Sequence, residues 1–504
     1  MEQRRLKVSK VAVKAISILL LTALGFAVMG YHPGIEDDGV YLTAVKADLQ
    51  PSLYPHDSAF FRLQLQATVF DRVIAGFVRA TGTPLAWAEL LWQFLSLFGI
   101  LWAAHSIARH LFPDPRAQWA GVAMLAAMFT LPVAGTALNL ADQHLHPRNM
   151  ATALILAAVA RILARKTAQA VVLLLFALVV HPIIAAFGIS FCLFLTLSQT
   201  NVLNTWLNSP GRFLSAALPL SWIFQPPSPT WRRALETRRY YFLSQWTWYE
   251  WLGALAPLLL FWILVRIARK RGDQTLARFA AAVLFYDIFQ QAVAMAVLAT
   301  PSLVRLTPLQ PMRFLHLVYV FMALIVGCLL GKHLLQASLW RWTLFLFAIN
   351  TGMFLSQRML FSASEHIEVP GRPSANPWLQ AFAWIRQNTP PDAYFALDPT
   401  YLAAPGEDYH SFRALAERSQ LADAIKDTAV VTQVPELGPV WARQVDALAG
   451  WNRFRSADFD RLREGFGVTW VVVHYPQPPG LECPWHNTSL AVCKLHGPEH
   501  VLSQ

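Results

Sequence analysis

The chain has 504 residues, 55% of them hydrophobic and only 14% charged, with a formal net charge of +11. An average soluble domain carries roughly 25% charge, so an ordinary soluble enzyme is excluded as the whole of the protein. The basic residues fall in short clusters beside apolar runs instead of along one face, which makes them topology signals and excludes nucleic acid as the partner.

The first apolar run, "VAVKAISILLLTALGFAVMG" (11–30), follows "MEQRRLKVSK". Its length, and the lack of a small-residue cleavage pattern before the acidic triplet that comes next, read as an uncleaved anchor helix and not a signal peptide. Further runs at 85–106, 117–135, 149–164, 168–198, 251–268, 279–299, 314–331 and 340–357 approach the ~20 residues that cross the hydrocarbon. Nine spans result. The run at 170–197 is long for one helix and short for two, and Pro182 removes a backbone donor in its middle. If it is a pair, residues 211–224 must return the chain, making eleven.

Orientation follows from Lys and Arg in the short connections. Arg4, Arg5, Lys7 and Lys10 place the N-terminus in the cytoplasm, and Arg109, Arg116, Arg161, Arg165, Lys166, residues 266–272 and Lys332 agree with it. Outside then lie residues 31–84, 139–149, 225–250, 301–313 and everything after Gln357.

The first outer loop opens with "GIEDDGVYLTAVKADLQPSLYPHD" (34–57), which puts Glu36, Asp37 and Asp38 at the outer water interface. The apolar residues of "VYLTAVKADL" (40–49) and of residues 57–80 suggest helices along the membrane surface. The stretch "RRALETRRYYFLSQWTWYEW" (232–251) reads as an interfacial aromatic belt.

After residue 358 the composition changes. Short β-rich pieces at 393–398, 429–434, 468–475 and 490–495 alternate with helical patterns such as "NPWLQAFAWIRQN" (376–388). There Asn376 suits the cap, Pro377 the first turn, and Trp378, Phe382 and Ile385 share one face. The expected organisation is a transmembrane domain at 1–358 and an extracytoplasmic α/β domain at 359–504. Cys192 and Cys328 lie in apolar runs, whereas Cys483 and Cys493 fall in the outer domain, where a disulfide suits an oxidising compartment. The alternative, a metal site of Cys483, His486, Cys493 and His496, lacks close-paired Cys spacing. No internal repeat, phosphate loop, nucleophile elbow or zinc-protease helix is present in the sequence.

The acidic triplet after the first span, the surface helices, the many spans and the outer C-terminal domain together resemble the GT-C superfamily of integral-membrane glycosyltransferases, and uncharacterised bacterial membrane proteins related to it. Asp37 and Asp38 match the position of that family's catalytic carboxylate. Residues 146–166 are similar to its span entered through an outer-edge Arg, and residues 310–327 to a late span of the same kind. Residues 384–399 and 466–475 are similar to segments after the last span. The WWD-type motif of oligosaccharyltransferases is missing. The resemblance implies a GT-C-like polytopic helical fold of about nine to eleven spans in a bacterial-type cytoplasmic membrane. It also implies transfer of a sugar from a polyprenyl-phosphate donor to an unidentified acceptor at the outer face.

The residues support this chemistry on their own terms. Transfer at the membrane surface needs a carboxylate to take the acceptor proton and cations to hold the departing phosphate. Asp37 or Asp38 suits the first role, and Arg148, Arg305 or Arg313 the second. Glu36, His144, His146 and His181 are secondary candidates for substrate contact. Hard divalent cations prefer oxygen ligands, so the carboxylates are compatible with one, but the spacing does not demand it. The bland readings are a solvated helix exit for the triplet, lipid phosphates for the arginines, and a buried kink for His181. A transporter or scaffold with a partner-binding outer domain is the competing class. Transporters place ionisable residues near the midplane, whereas here they gather at the outer ends of spans.

Overall fold

A computed structural model of the chain describes residues 2–199 and 226–495, with side chains from residue 11 onward. The expected return segment 211–224 and His496 lie outside the described residues. Two compact units are present. The first comprises Met1–Gly30, Leu90–Pro227 and Arg239–Gln357, and the second Tyr31–Glu89, Ser228–Arg238 and Arg358–Gln504.

The protein is a polytopic, mainly helical membrane protein with a small C-terminal sheet domain. Among the described residues six helices are long and apolar enough to cross a membrane: Val11–Met29, Leu85–Leu111, Pro182–Gln199, Trp248–Lys270, Gln274–Ala299 and Pro311–Leu335. The apolar helix Thr167–Val180 is shorter. This is fewer than the nine to eleven expected, for reasons of length and composition. The run at 117–135 yields a helix of only 13 residues, Pro115–Ala127, about 20 Å long at ~1.5 Å per residue. Helix Pro147–Leu163 has 17 residues and includes a buried Arg148. Helix Leu339–Leu360 is long enough, but Arg341, Asn350, Gln357 and Arg358 dilute its apolar character. The ambiguous run resolves into two helices, Thr167–Val180 and Pro182–Gln199, broken at His181.

In the first unit the helices pack through small residues and interlocked rings. A Cβ added at Gly327 would stand 2.8 Å from the Gly121 Cα, so Pro115–Ala127 and Leu315–Leu330 approach backbone to backbone. Close approach through small residues is how helices gain packing where lipid offers no hydrophobic drive. Phe191 sits 4.6 Å from Phe321 and 5.9 Å from Phe279, ring to ring, fixing Pro182–Gln199 against its neighbours.

The second unit holds helices Asp38–Leu49, Ala59–Leu65 and Phe70–Thr81, from the segment that follows the first apolar helix, together with the C-terminal sheet. Strands β1 (Tyr394–Ala396), β2 (Ser419–Gln420), β3 (Trp470–His474), β4 (Glu482–His486) and β5 (Leu490–Lys494) form one sheet in the order β2-β1-β3-β5-β4. β1 pairs in parallel with β2 and β3, while β5 runs antiparallel to β3 and β4. Helix Pro377–Asn388 starts as its sequence suggests: the Asn376 side chain accepts from Trp378 N–H at 2.8 Å, and Trp378, Phe382 and Ile385 are buried. Residues 429–434, expected as a strand, instead belong mostly to helix Lys426–Gln433. The Asp423 carboxylate accepts from Ile425 and Lys426 N–H and starts that helix, overriding the β preference of Val430 and Val431.

Cys483 on β4 and Cys493 on β5 are joined by a disulfide. The loop it closes is short, so replacing both by Ser is expected to cost about 2 kcal/mol, the low end of the usual range. Denaturant unfolding of the full chain with and without reductant measures the difference. A loss of function that exceeds the loss of stability would contradict a purely structural bond.

Candidate active site

The acidic triplet divides into two environments. Asp37 is the N-cap residue of helix Asp38–Leu49, and its side chain is 38% exposed. Its Oδ1 lies 3.2 Å from the Lys426 Nζ, which also donates to the Glu36 carboxylate. Burial opposes the charge of Lys426, but Glu36 and Asp37 outweigh it and hold the ammonium above the usual lysine range. Glu36 itself sits in the left-handed region, φ 52°, a conformation that turns the chain between Tyr31 and the helix.

Asp38 faces inward. It is 2% exposed, and its Oδ2 accepts from Gly34 N–H at 2.8 Å, closing the loop on itself. Burial, and after it the charge of Glu89, hold its carboxyl well above the usual range. A general base must be reached by the group it deprotonates; Asp37 is accessible for that role, whereas buried Asp38 is placed to hold the loop through Gly34. Two substitutions separate these roles. Asp38→Asn resembles the protonated acid and should nearly preserve stability, whereas Asp38→Ala leaves the Gly34 N–H unpaired and should cost about 1–3 kcal/mol. A carboxyl with raised proton affinity in the folded chain stabilises below its unfolded pKa, and that contribution is lost as pH rises through the folded value. Thermal melts at rising pH should therefore destabilise wild type more than Asp38→Asn. Identical pH slopes would contradict the protonated assignment.

A second polar cluster lies in the first unit. Arg148, offered by the sequence as a phosphate cation, is buried, and its guanidinium grips Asp142 with two donors, Nε to Oδ2 at 3.0 Å and Nη2 to Oδ1. Burial alone would raise the Asp142 carboxyl, but Arg148 and, after it, His146 and His144 hold it below the usual range. The loop around it is cross-braced: Asp142 N–H donates to Asn149 Oδ1 at 3.0 Å, and Gln93 Nε2 donates to the Asp142 carbonyl at 2.6 Å. His146 accepts from Arg148 N–H at 2.9 Å and caps helix Pro147–Leu163. His144 and His181 flank it, with ring centroids 5.6 and 5.9 Å from that of His146. His181 Nδ1 accepts from Ile184 N–H at 3.4 Å at the break between two helices, the position of a kink residue.

Arg305 and Arg313 are partly buried on consecutive short turns, Pro301–Leu309 and Pro311–Phe314. Arg305 Nη2 donates to the Pro226 carbonyl at 3.2 Å. Arg313 lines a small pocket with Thr136, Tyr240, Tyr241, Thr307 and Gln310, and Gln310 donates to the Tyr241 hydroxyl at 3.1 Å.

Sequence reasoning passed over Lys426 and Asp142. Asp142 stands six residues before Arg148, a spacing with no helical signature. Lys426 lies in a distant segment, and nothing local marks it.

No family model matches the sequence, and no curated protein does. Among solved structures the chain is similar to the archaeal oligosaccharyltransferase AglB from Archaeoglobus fulgidus, solved in complex with an inhibitory peptide and a dolichol-phosphate. The match has 15% identity and a TM-score of 0.42, and it covers 91% of this chain and 69% of that one.

Proposed function

We propose that the protein is a GT-C-type glycosyltransferase that moves a sugar from a polyprenyl-phosphate donor to an acceptor at the outer face of the membrane, with its N-terminus in the cytoplasm. The observation that carries this reading is Asp37: an accessible carboxylate at the head of a helix, a few residues beyond the apolar helix Val11–Met29, with Lys426 against it. In this role Asp37 takes the proton of the acceptor nucleophile as it attacks the anomeric carbon. The sugar–phosphate bond breaks, and the lipid phosphate leaves with the bonding electrons. The phosphate needs cationic donors, a role for which the sequence offers Arg305 and Arg313, while Arg148 is committed to Asp142.

Arg313→Ala tests the phosphate assignment. Losing a charged hydrogen-bond partner is worth about 1.5–3 kcal/mol, so donor affinity should fall by at least roughly tenfold. Titration of a polyprenyl-phosphate-sugar into the detergent-purified protein measures it. Unchanged affinity would remove Arg313 from the donor site.

A further inference from the structure

We propose that His32, Glu368 and His410 form a binding site for a divalent transition-metal ion of the zinc class, which fastens the start of the first outer loop to two C-terminal segments. The three residues come from separate parts of the second unit, and their donor atoms all lie within 4.8 Å of one another. Both imidazoles are fully buried, and the carboxylate is 11% exposed.

The hydrogen-bond chemistry calls for a positive charge at this point, which either a second proton on His410 or a metal ion supplies. His410 Nδ1 is 2.9 Å from the Glu407 carbonyl oxygen, which can only accept, so Nδ1 carries a proton. In the neutral ring Nε2 is then a bare lone pair, yet it faces Glu368 Oε1 at 2.9 Å. The same oxygen faces His32 Nδ1 at 2.7 Å. Lone pair against carboxylate is repulsive unless a positive charge lies between them. An imidazole whose outer N–H is fixed by a backbone carbonyl is also how proteins orient a metal-ligating histidine. The His32 ring is stacked on Phe361 with centroids 4.1 Å apart, and its Nε2 is buried with no hydrogen-bond partner among the described residues.

Two imidazoles and one carboxylate form a mixed nitrogen and oxygen set that suits zinc, cobalt or nickel better than magnesium or calcium, and three protein ligands leave a fourth position for water. With bonds of ~2.0 Å, ligand atoms of a tetrahedral ion stand roughly 3.3 Å apart. The contacts need to open by about half an ångström, within reach of small side-chain rotations. The consequence is local rigidity. Ser411 N–H donates to the Gly34 carbonyl at 2.8 Å and Glu36 N–H to the Tyr409 carbonyl at 3.1 Å, so an ion on His410 and His32 clamps the strand of chain that carries the acidic triplet. This inference is independent of the transferase reading.

The test uses the full chain, purified in detergent through a tag without histidine. Elemental analysis should find one equivalent of zinc-class metal per chain. Chelation should remove it and lower the melting temperature, and Zn²⁺ should restore both. Glu368→Gln should weaken Zn²⁺ binding by more than roughly 100-fold, the upper end of what losing an outer-shell partner does, while His486→Ala, on an exposed strand, should bind as wild type. Should Glu368→Gln not fold, Co²⁺ added to the chelated wild-type protein should still give visible absorption bands of a tetrahedral site. The proposal is overturned if neither Zn²⁺ nor Co²⁺ binds the wild-type chain, or if Glu368→Gln binds Zn²⁺ as tightly as wild type. In the first case the cluster is a proton-bridged His–Glu network, and in the second the metal lies elsewhere.

Discussion

Asp37→Asn is expected to lower sugar transfer by roughly 10²–10⁴, the range typical for removing a proton acceptor, while membrane insertion and folding persist. The substitution keeps size and shape and removes only the lone pairs that take the acceptor proton. Because Asp37 is partly exposed, no buried charge is stranded by the change. Lys426 keeps Glu36 as a partner, so the loop should hold its course. Consumption of a defined polyprenyl-phosphate-sugar in proteoliposomes is the readout, alongside Asp38→Asn as a control expected to fold normally. Full activity in Asp37→Asn would reduce the exposed part of the triplet to a solvated helix exit.

Arg148→Ala is expected to have the largest effect on stability, about 3–5 kcal/mol, because it leaves Asp142 as a buried charge without its partner. The cost arises from the stranded carboxylate more than from the lost bond. The double variant Asp142→Asn with Arg148→Met carries no lone charge and should recover much of the loss. The pH dependence has a definite sign. A carboxyl held below its unfolded pKa contributes stability that is present above the ordinary carboxylate range and disappears as pH falls through the folded value. Acid should thus destabilise wild type more than the double variant. Detergent-solubilised melting temperatures at neutral and acid pH check both statements, and an unchanged melting temperature in Arg148→Ala would contradict the paired arrangement.

The parts of the fold that sequence made legible are those dictated by local physics. Long apolar runs such as 11–30 and 314–331 announce helices because a spanning segment must satisfy its own backbone, and Asn376-Pro377 announces a helix start because cap and first-turn chemistry are local. The helix at Lys426–Gln433 was hidden because its decisive residue is Asp423, whose carboxylate captures the free N–H groups, while the β-branched valines point the other way. Among the described residues fewer helices than expected meet the length and apolar composition of a span, because runs such as 117–135 yield short helices like Pro115–Ala127, which is buried among other helices.

In the candidate site, Glu36, Asp37 and Asp38 stood out as three adjacent acids after an apolar run. Their different environments did not, since these depend on Lys426, Gly34 and Glu89. Arg148 looked like the other outer arginines, and only the fold shows it locked to Asp142. Asp287, fully buried within Gln274–Ala299 and held by Gln291 at 3.0 Å, sits in an apolar pattern that its single charge does not interrupt.

The most direct test of the transferase reading is native mass spectrometry of the purified full chain, titrated with a polyprenyl phosphate and, separately, with phosphatidylglycerol. The account predicts a bound polyprenyl phosphate that survives detergent removal, is displaced only slowly by phosphatidylglycerol, and is weakened in Arg313→Ala. Binding of the polyprenyl phosphate no tighter than that of phosphatidylglycerol would contradict it.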